Sequence, residues 1–177
     1  TDPNVRAVAL VIDSPGGEVA GCFELVDKLV EMGAEKPIRS FAADHSYSAA
    51  YALASVGDEI VVTRSGGTGS VGVVTAHFNF EKALDQMGVE VTFIHAGKHK
   101  VDGNSYQKLP DDVKARIQAR VDKLYGVFTS TVAQNRDMDE DDVRGTEALT
   151  YDAEDSIKVG FADRIGALDD EMIAFTE

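Results

Sequence analysis

Apolar residues run almost unbroken from Ala7 to Ile12 and give way abruptly to Asp13-Ser14-Pro15-Gly16-Gly17. A run so short and continuous predicts a strand covered on both faces, ended by a tight turn. From Glu18 the apolar positions Val19, Cys22, Phe23, Val26, Leu29 and Val30 recur at helical spacing, and Gly33 ends the pattern in the manner of a C-cap. Another strand is predicted over about Ile38 to Ala42. It is followed by Ser46 to Ser55, where Ala49, Ala50, Ala52 and Ala54 suit a closely packed buried helix. Further strands are expected at Glu59 to Thr63, Ser70 to Val74 and Glu90 to His95, with a helix at Phe78 to Met87. Pro110 and two aspartates open a long helix whose Val113, Ile117, Val121, Leu124, Phe128 and Val132 share one face. Strands alternating with helices predict an α/β fold on a substantially parallel sheet.

The length of 177 residues, 44% of them hydrophobic, supports a single domain, 1–177, with its own core. Cys22 is the only cysteine, which excludes an internal disulfide and a cysteine-type zinc site. No apolar run approaches the ~20 residues a membrane span needs. The formal charge of −14 argues against a nucleic-acid partner, because a phosphate backbone is held mainly by Lys and Arg. Most of that charge follows Arg136: from Asp137 to Glu177 there are 14 acidic and 3 basic residues. A solvated acidic face explains it better than a calcium loop, whose glycine-punctuated ligand spacing is missing. Asp139, Glu140, Asp141 and Asp142 sit where a short helix would start, favourably against its dipole. Thr1 is not an initiator Met and a strand follows almost at once, so the chain is expected to be part of something longer.

Three places ask the backbone for something unusual. At Asp13 to Gly17 two glycines permit positive φ and close approach, and their amides lie near a helix start, where negative charge is stabilised. Such amides can form half of an oxyanion hole, although for an SPGG string taken alone a plain turn is the better reading. At His45-Ser46-Tyr47-Ser48-Ala49-Ala50-Tyr51 a strand end runs into a helix of small residues, where a serine hydroxyl would meet unpaired amides. Either serine could instead be an N-cap, and spacing alone does not choose between them. At Gly66 to Gly72, the glycines satisfy G-x-G-x-x-G, but a strand-like Val71 to Val74 follows where a dinucleotide site requires a helix. That reading is therefore rejected. A serine nucleophile needs a base, for which His45, His77, His95 and His99 are candidates, as are Lys98 and Lys100 just past a strand end. A lysine serves only if its pKa falls well below about 10.4.

In order along the chain, DSPGG at Asp13 to Gly17, YSAAYALAS at Tyr47 to Ser55, TGSVGV at Thr68 to Val73, GKHKVDG at Gly97 to Gly103 and FADRIGAL near the C-terminus form a combination far more specific than any one string. The chain resembles the serine peptidases related to signal peptide peptidase A, a branch of the Clp-protease/crotonase fold that uses a Ser-Lys dyad. The stretch from Lys98 to Asp122 looks like the phage and prophage members, the capsid assembly proteases of the lambda type. The resemblance implies Ser48 as nucleophile, Lys100 as general base, Gly17 and Ala49 as oxyanion donors, Gly16 as the residue shaping the turn and Ser70 as a serine orienting the lysine. It implies no metal or cofactor, protein substrates among scaffold, portal or capsid components, and a homo-oligomeric ring in which a serine and lysine can come from neighbouring subunits. It places the protein in the host cytoplasm or prohead if phage-type, and at a membrane if it is a signal peptide peptidase. Two departures stand out. The family's Ser-Gly-Gly-Tyr reads Ser48-Ala49-Ala50-Tyr51 here, and the strands that family members carry before DSPGG are expected to be missing. The alternatives are a signal peptide peptidase fragment and a non-catalytic, ring-forming assembly protein; a crotonase-type acyl-CoA enzyme ranks last, since it would not need both Ser48 and Lys100.

Overall fold

The computed structural model describes residues 2–176. In chain order the elements are β1 (Val8–Ser14), α1 (Cys22–Gly33), β2 (Ile38–Tyr47), α2 (Ala49–Ala54), β3 (Glu59–Val62), β4 (Gly67–Gly69), α3 (Glu81–Gln86), α4 (Asp111–Arg136), α5 (Glu140–Gly145), β5 (Thr150–Asp152), α6 (Ala153–Lys158), β6 (Arg164–Ile165) and α7 (Leu168–Thr176). They form two compact units, one of Thr1–Gly72 with Tyr125–Glu177 and the other of Val73–Leu124.

The first unit is organised around β2. Its early residues pair in parallel with β1 on one side and β3 on the other, Leu10 opposite Ser40 and Phe41 opposite Val61. Its last residues, His45 to Tyr47, pair in parallel with β4, which is joined antiparallel to β5; β6 extends the other edge beside β3. The sheet is thus mostly parallel and strands alternate with helices, as the sequence pattern predicts. β2 is central because its residues Ile38, Ser40, Phe41 and Ala42 are all buried, so it can accept neighbours on both edges and layers on both faces. The alanines of α2 let that short helix lie close to the sheet. Tyr51 fills the remaining space, fully buried, its ring 4.7 Å from that of Phe161 and its hydroxyl donating to the Phe161 carbonyl at 3.0 Å. Burial pushes the Tyr51 hydroxyl above its ordinary pKa, which favours the neutral form that donates this hydrogen bond.

Several boundaries differ from the sequence expectation. Helix α1 starts at Cys22 instead of Glu18, because residues 19–21 form a turn that Gly21 closes at φ 82°, and it is capped by Ala34 with Gly33 as its last helical residue. The strand expected at Ser70 to Val74 falls instead at Gly67–Gly69. Glycines are poor strand formers, yet here a side chain is forbidden: a Cβ on Gly67 would run into the Tyr151 carbonyl and the Tyr47 hydroxyl, and one on Gly69 would lie 2.5 Å from the Leu149 carbonyl. No dinucleotide-type helix follows these glycines, since residues 70–80 have no regular structure.

In the second unit the expected helix at Phe78 to Met87 contracts to α3, and the strand expected at Glu90 to His95 is absent, its residues having no ladder partner among those described. The long helix α4 runs as predicted and continues from this unit into the first; Val113, Phe128 and Val132 on its apolar face are buried.

The C-terminal helix α7 is tied back to the sheet by charge. Arg164 of β6 donates to Glu171 and to Glu59, Glu59 also pairs with Arg39 at 2.8 Å, and the Arg39 guanidinium lies 4.7 Å from the Phe175 ring. Hydrogen bonds from Arg164 hold the Glu171 carboxyl below its ordinary value of 4.5. A depressed carboxyl stabilises the fold above its unfolded pKa and loses that contribution as pH falls through the folded one. Thermal melts between pH 7 and pH 3 should therefore show a smaller acid-induced drop in Tm for Glu171→Gln than for the parent; equal drops would contradict this role.

Candidate active site

Strand β2 does not run smoothly into α2. Ser48, between them, has φ 54° and ψ −128°, a conformation that costs a side-chain-bearing residue of order 1–3 kcal/mol. The turn is fixed from both sides. Its amide donates to the Gly69 carbonyl at 2.8 Å, and its carbonyl accepts from Tyr51 at 2.8 Å and Ala52 at 3.1 Å. Although Ser48 occupies the N-cap position, its hydroxyl makes no capping hydrogen bond, and the side chain is partly exposed. Ser46 differs: it lies in β2 opposite Ser14 and Thr68, with a fully buried hydroxyl.

Against this turn rests the Asp13 to Gly17 segment. β1 and β2 pair regularly up to Ile12 opposite Ala42, then slip so that Ser14 faces Ser46. The irregularity brings Gly16, at φ 104°, directly over Ser48. A Cβ on Gly16 would fall 2.6 Å from the Ser48 Cβ, 2.9 Å from the Tyr47 carbonyl and 3.2 Å from the Ala49 amide nitrogen. The Gly16 amide is used internally, donating to the Ser14 hydroxyl at 3.2 Å. Those of Gly17 and Ala49 have no acceptor among the described residues. Both residues line a groove of about 510 Å³ with Val11, Cys22, Leu25 and Leu53. Cys22 touches the same wall, its sulfur 3.7 Å from the Ala49 carbonyl, and burial followed by the nearby Glu24 pushes its thiol up in pKa. Nothing in the sequence pattern singled out Cys22 beyond its place on the apolar face of α1.

Ser70 follows Gly69 directly, at φ 55°, its amide donating to the Leu149 carbonyl at 2.8 Å. Gly16, Gly17, Ser48, Ala49 and Ser70 thus gather at one end of the first unit. Lys100 belongs to the second unit, on an exposed turn whose amide donates to the Gly97 carbonyl at 3.1 Å. That loop is braced by contacts that no sequence motif identified. His99 hydrogen-bonds Asp102 at 2.8 Å, and Arg116 of α4 binds Asp102 while pairing with Asp112 at 2.9 Å. A helical arginine reaching a loop 14 residues earlier is a tertiary contact that leaves no periodic trace. Asp13, Asp44 and His45 bring three ligand-type atoms within 4.8 Å of one another, but all three are exposed and His45 already leans on Asp13 at 3.4 Å.

Residues 31–175 match the family model for peptidase family S49. The chain belongs to peptidase family S49. It is 40% identical over 165 residues to the capsid assembly protease C of Escherichia phage lambda, covering 93% of this chain and 38% of that protein. It is 38% identical to the head-tail preconnector protein GP5 of Enterobacteria phage P21, over 93% of this chain and 33% of that one. A chloroplastic serine protease SPPA of Arabidopsis thaliana is 27% identical over 92% of this chain and 24% of its own. This S49 chain therefore spans well under half the length of these curated relatives. Among solved structures, a membrane-bound stomatin-specific protease in complex with a substrate peptide shares the fold, with a TM-score of 0.58 and 14% identity over 97% of this chain and 65% of that one. No helix among the described residues is long and apolar enough to cross a membrane.

The two glycines of the turn make opposite predictions. Gly16→Ala should destabilise by about 1–3 kcal/mol in chemical denaturation, since it adds a clash to a positive φ. Gly17→Ala, whose Cβ would meet open space, should stay within about 0.5 kcal/mol of the parent. Equal effects would contradict the packing described.

Proposed function

We propose that this S49 chain is the catalytic part of a serine endopeptidase in which Ser48 is the nucleophile and Lys100 the general base. The observation that carries the reading is the Ser48 turn: a strained, uncapped, partly exposed serine at a strand-to-helix junction, beside two amides without acceptors. Such a junction thrusts a hydroxyl out of the sheet end and sets helix-start amides behind it. The neutral Lys100 amine takes the hydroxyl proton as Ser48 Oγ bonds to a peptide carbonyl carbon. Negative charge on the former carbonyl oxygen is met by the Gly17 and Ala49 amides, each such donor being worth about 10²–10³ in rate. Collapse breaks the C–N bond, the lysine ammonium returns its proton to the leaving amine, and water deprotonated by the same lysine then hydrolyses the acyl ester. The Ala49 methyl leaves its amide free, so replacing the family's glycine there does not remove the donor. Ser70 is proposed to orient the lysine. The chemistry calls for no metal or cofactor.

The phage relatives support scaffold, portal or capsid proteins as substrates, acting in the host cytoplasm or prohead; a signal-peptide-peptidase role ranks second, the SPPA-type serine protease of Arabidopsis thaliana being less similar. A homo-oligomer is also proposed. The second unit leaves Val74 91%, Met87 73% and Ile94 98% exposed, an apolar display that self-association would cover.

Ser48→Ala and Lys100→Ala, each in the full-length protein co-expressed with a scaffold or capsid protein, should abolish processing. Normal processing by either variant would overturn the dyad, and full activity in a species that sediments as a monomer would overturn the oligomer.

A further inference from the structure

The groove beside Ser48 has apolar walls and an acidic edge. Val11, Leu25, Ala50 and Leu53 line it, and its only charged lining residues are Asp13 and Glu18, with no Lys, Arg or His among them. Asp13 is partly engaged, one carboxylate oxygen accepting from the His45 amide at 3.2 Å. Glu18 is exposed and has neither a hydrogen bond nor an ion pair among the described residues. A peptide lying in the groove would strip water from that carboxylate. A purely apolar side chain would leave it without a partner, which is unfavourable. A lysine or arginine satisfies both surfaces at once, its aliphatic stem against Leu25 and Leu53 and its charged head at Glu18.

We propose that this groove receives the side chain of the residue whose carbonyl is attacked, that it selects lysine or arginine, and that Glu18 is the specificity-determining carboxylate. The inference rests on the Ser48 reading, because the amides of Gly17 and Ala49, which line the groove, are what would anchor that carbonyl. Glu24, one turn into α1, adds to the negative field on this side of the molecule, and the glycines at positions 16, 17 and 21 leave room for a peptide backbone to approach.

The test uses the full-length protein and N-acetylated peptides that differ only at the cleaved residue: lysine, arginine, norleucine or glutamate. Acetylation removes the terminal amine as a competing cation, and norleucine matches the lysine stem without its charge. The lysine and arginine peptides should exceed norleucine about two- to fivefold in kcat/KM, the range of a solvent-screened ion pair. They should do so equally in affinity for Ser48→Ala, measured by fluorescence polarisation. Glu18→Gln should bring the lysine-to-norleucine ratio to about one, and Glu18→Lys should turn the preference toward glutamate. Cys22 lines the groove and reports its occupancy: in Ser48→Ala its alkylation, mapped to this residue by mass spectrometry, should be slowed by the lysine peptide more than by norleucine at equal concentration. A norleucine preference, a ratio untouched by Glu18→Gln, or binding that leaves Cys22 unprotected would overturn the proposal. Cleavage that survives Ser48→Ala would instead overturn the nucleophile, and the binding measurements would still decide the groove.

Discussion

A methyl group at position 16 would overlap the Cβ of Ser48 and crowd the carbonyl of Tyr47 and the amide of Ala49. That missing methyl lets the end of β1 close over the junction between β2 and α2. The slip in β1 pairing after Ile12 and the positive φ of Ser48 are local costs incurred at one spot, where the positive φ open to Gly16 lets the backbone close over the turn. They are sustained because the surroundings over-determine the turn: the Ser48 amide is held by Gly69, its carbonyl by Tyr51 and Ala52, and Tyr51 is anchored to Phe161 in the core. Strain concentrated where a serine hydroxyl is left uncapped is the pattern expected when local geometry serves chemistry instead of stability.

The acidity of the chain has a more structural meaning than its total suggests. Asp139 caps α5 by accepting from Asp141 at 2.8 Å, and Asp152 caps α6 by accepting from Asp155 at 2.9 Å. Glu140 is held below its ordinary pKa by the Thr129 hydroxyl and then by Arg144. Asp163 ties the Ile60 amide at 2.7 Å and Arg136 at 2.8 Å, and Glu171 binds Arg164. Part of the negative charge after Arg136 thus caps and staples short C-terminal helices. Such helices need that help, because elements of six residues have little helical stability of their own.

Elements whose own pattern determines them were legible: β1 as a continuous apolar run, α1 and α4 as apolar stripes, α2 as a cluster of small residues; the cover on both faces that the β1 run predicts is not found, since none of its residues is buried and Val11 is 51% exposed. Elements defined by a partner were not. Gly67–Gly69 is a strand only because Tyr47 and Tyr151 press close on either side, a reason invisible in a glycine-rich string. Glu90 to His95 has the alternating composition of a strand, yet composition specifies an extended chain, not a neighbour to bond with. At the candidate site, Gly16, Gly17 and the serine pair were visible as motifs. Residue spacing alone does not choose between Ser46 and Ser48; the family resemblance names Ser48, and the structure buries Ser46 in the sheet and leaves Ser48 at the helix entrance. The groove residues Glu18 and Cys22 carried no motif, since lining a cavity is a property of three dimensions.

The central claim is that Ser48 is the nucleophile and that its reactivity depends on Lys100. It is tested most directly by treating the assembled full-length protein with a peptidyl phosphonate carrying lysine at the reactive position, then mapping the covalent adduct by tandem mass spectrometry. One phosphonyl group on Ser48, strongly reduced in Lys100→Ala, is the predicted result. An adduct on Cys22 or Ser46, or labelling of Ser48 that is indifferent to Lys100, would contradict it.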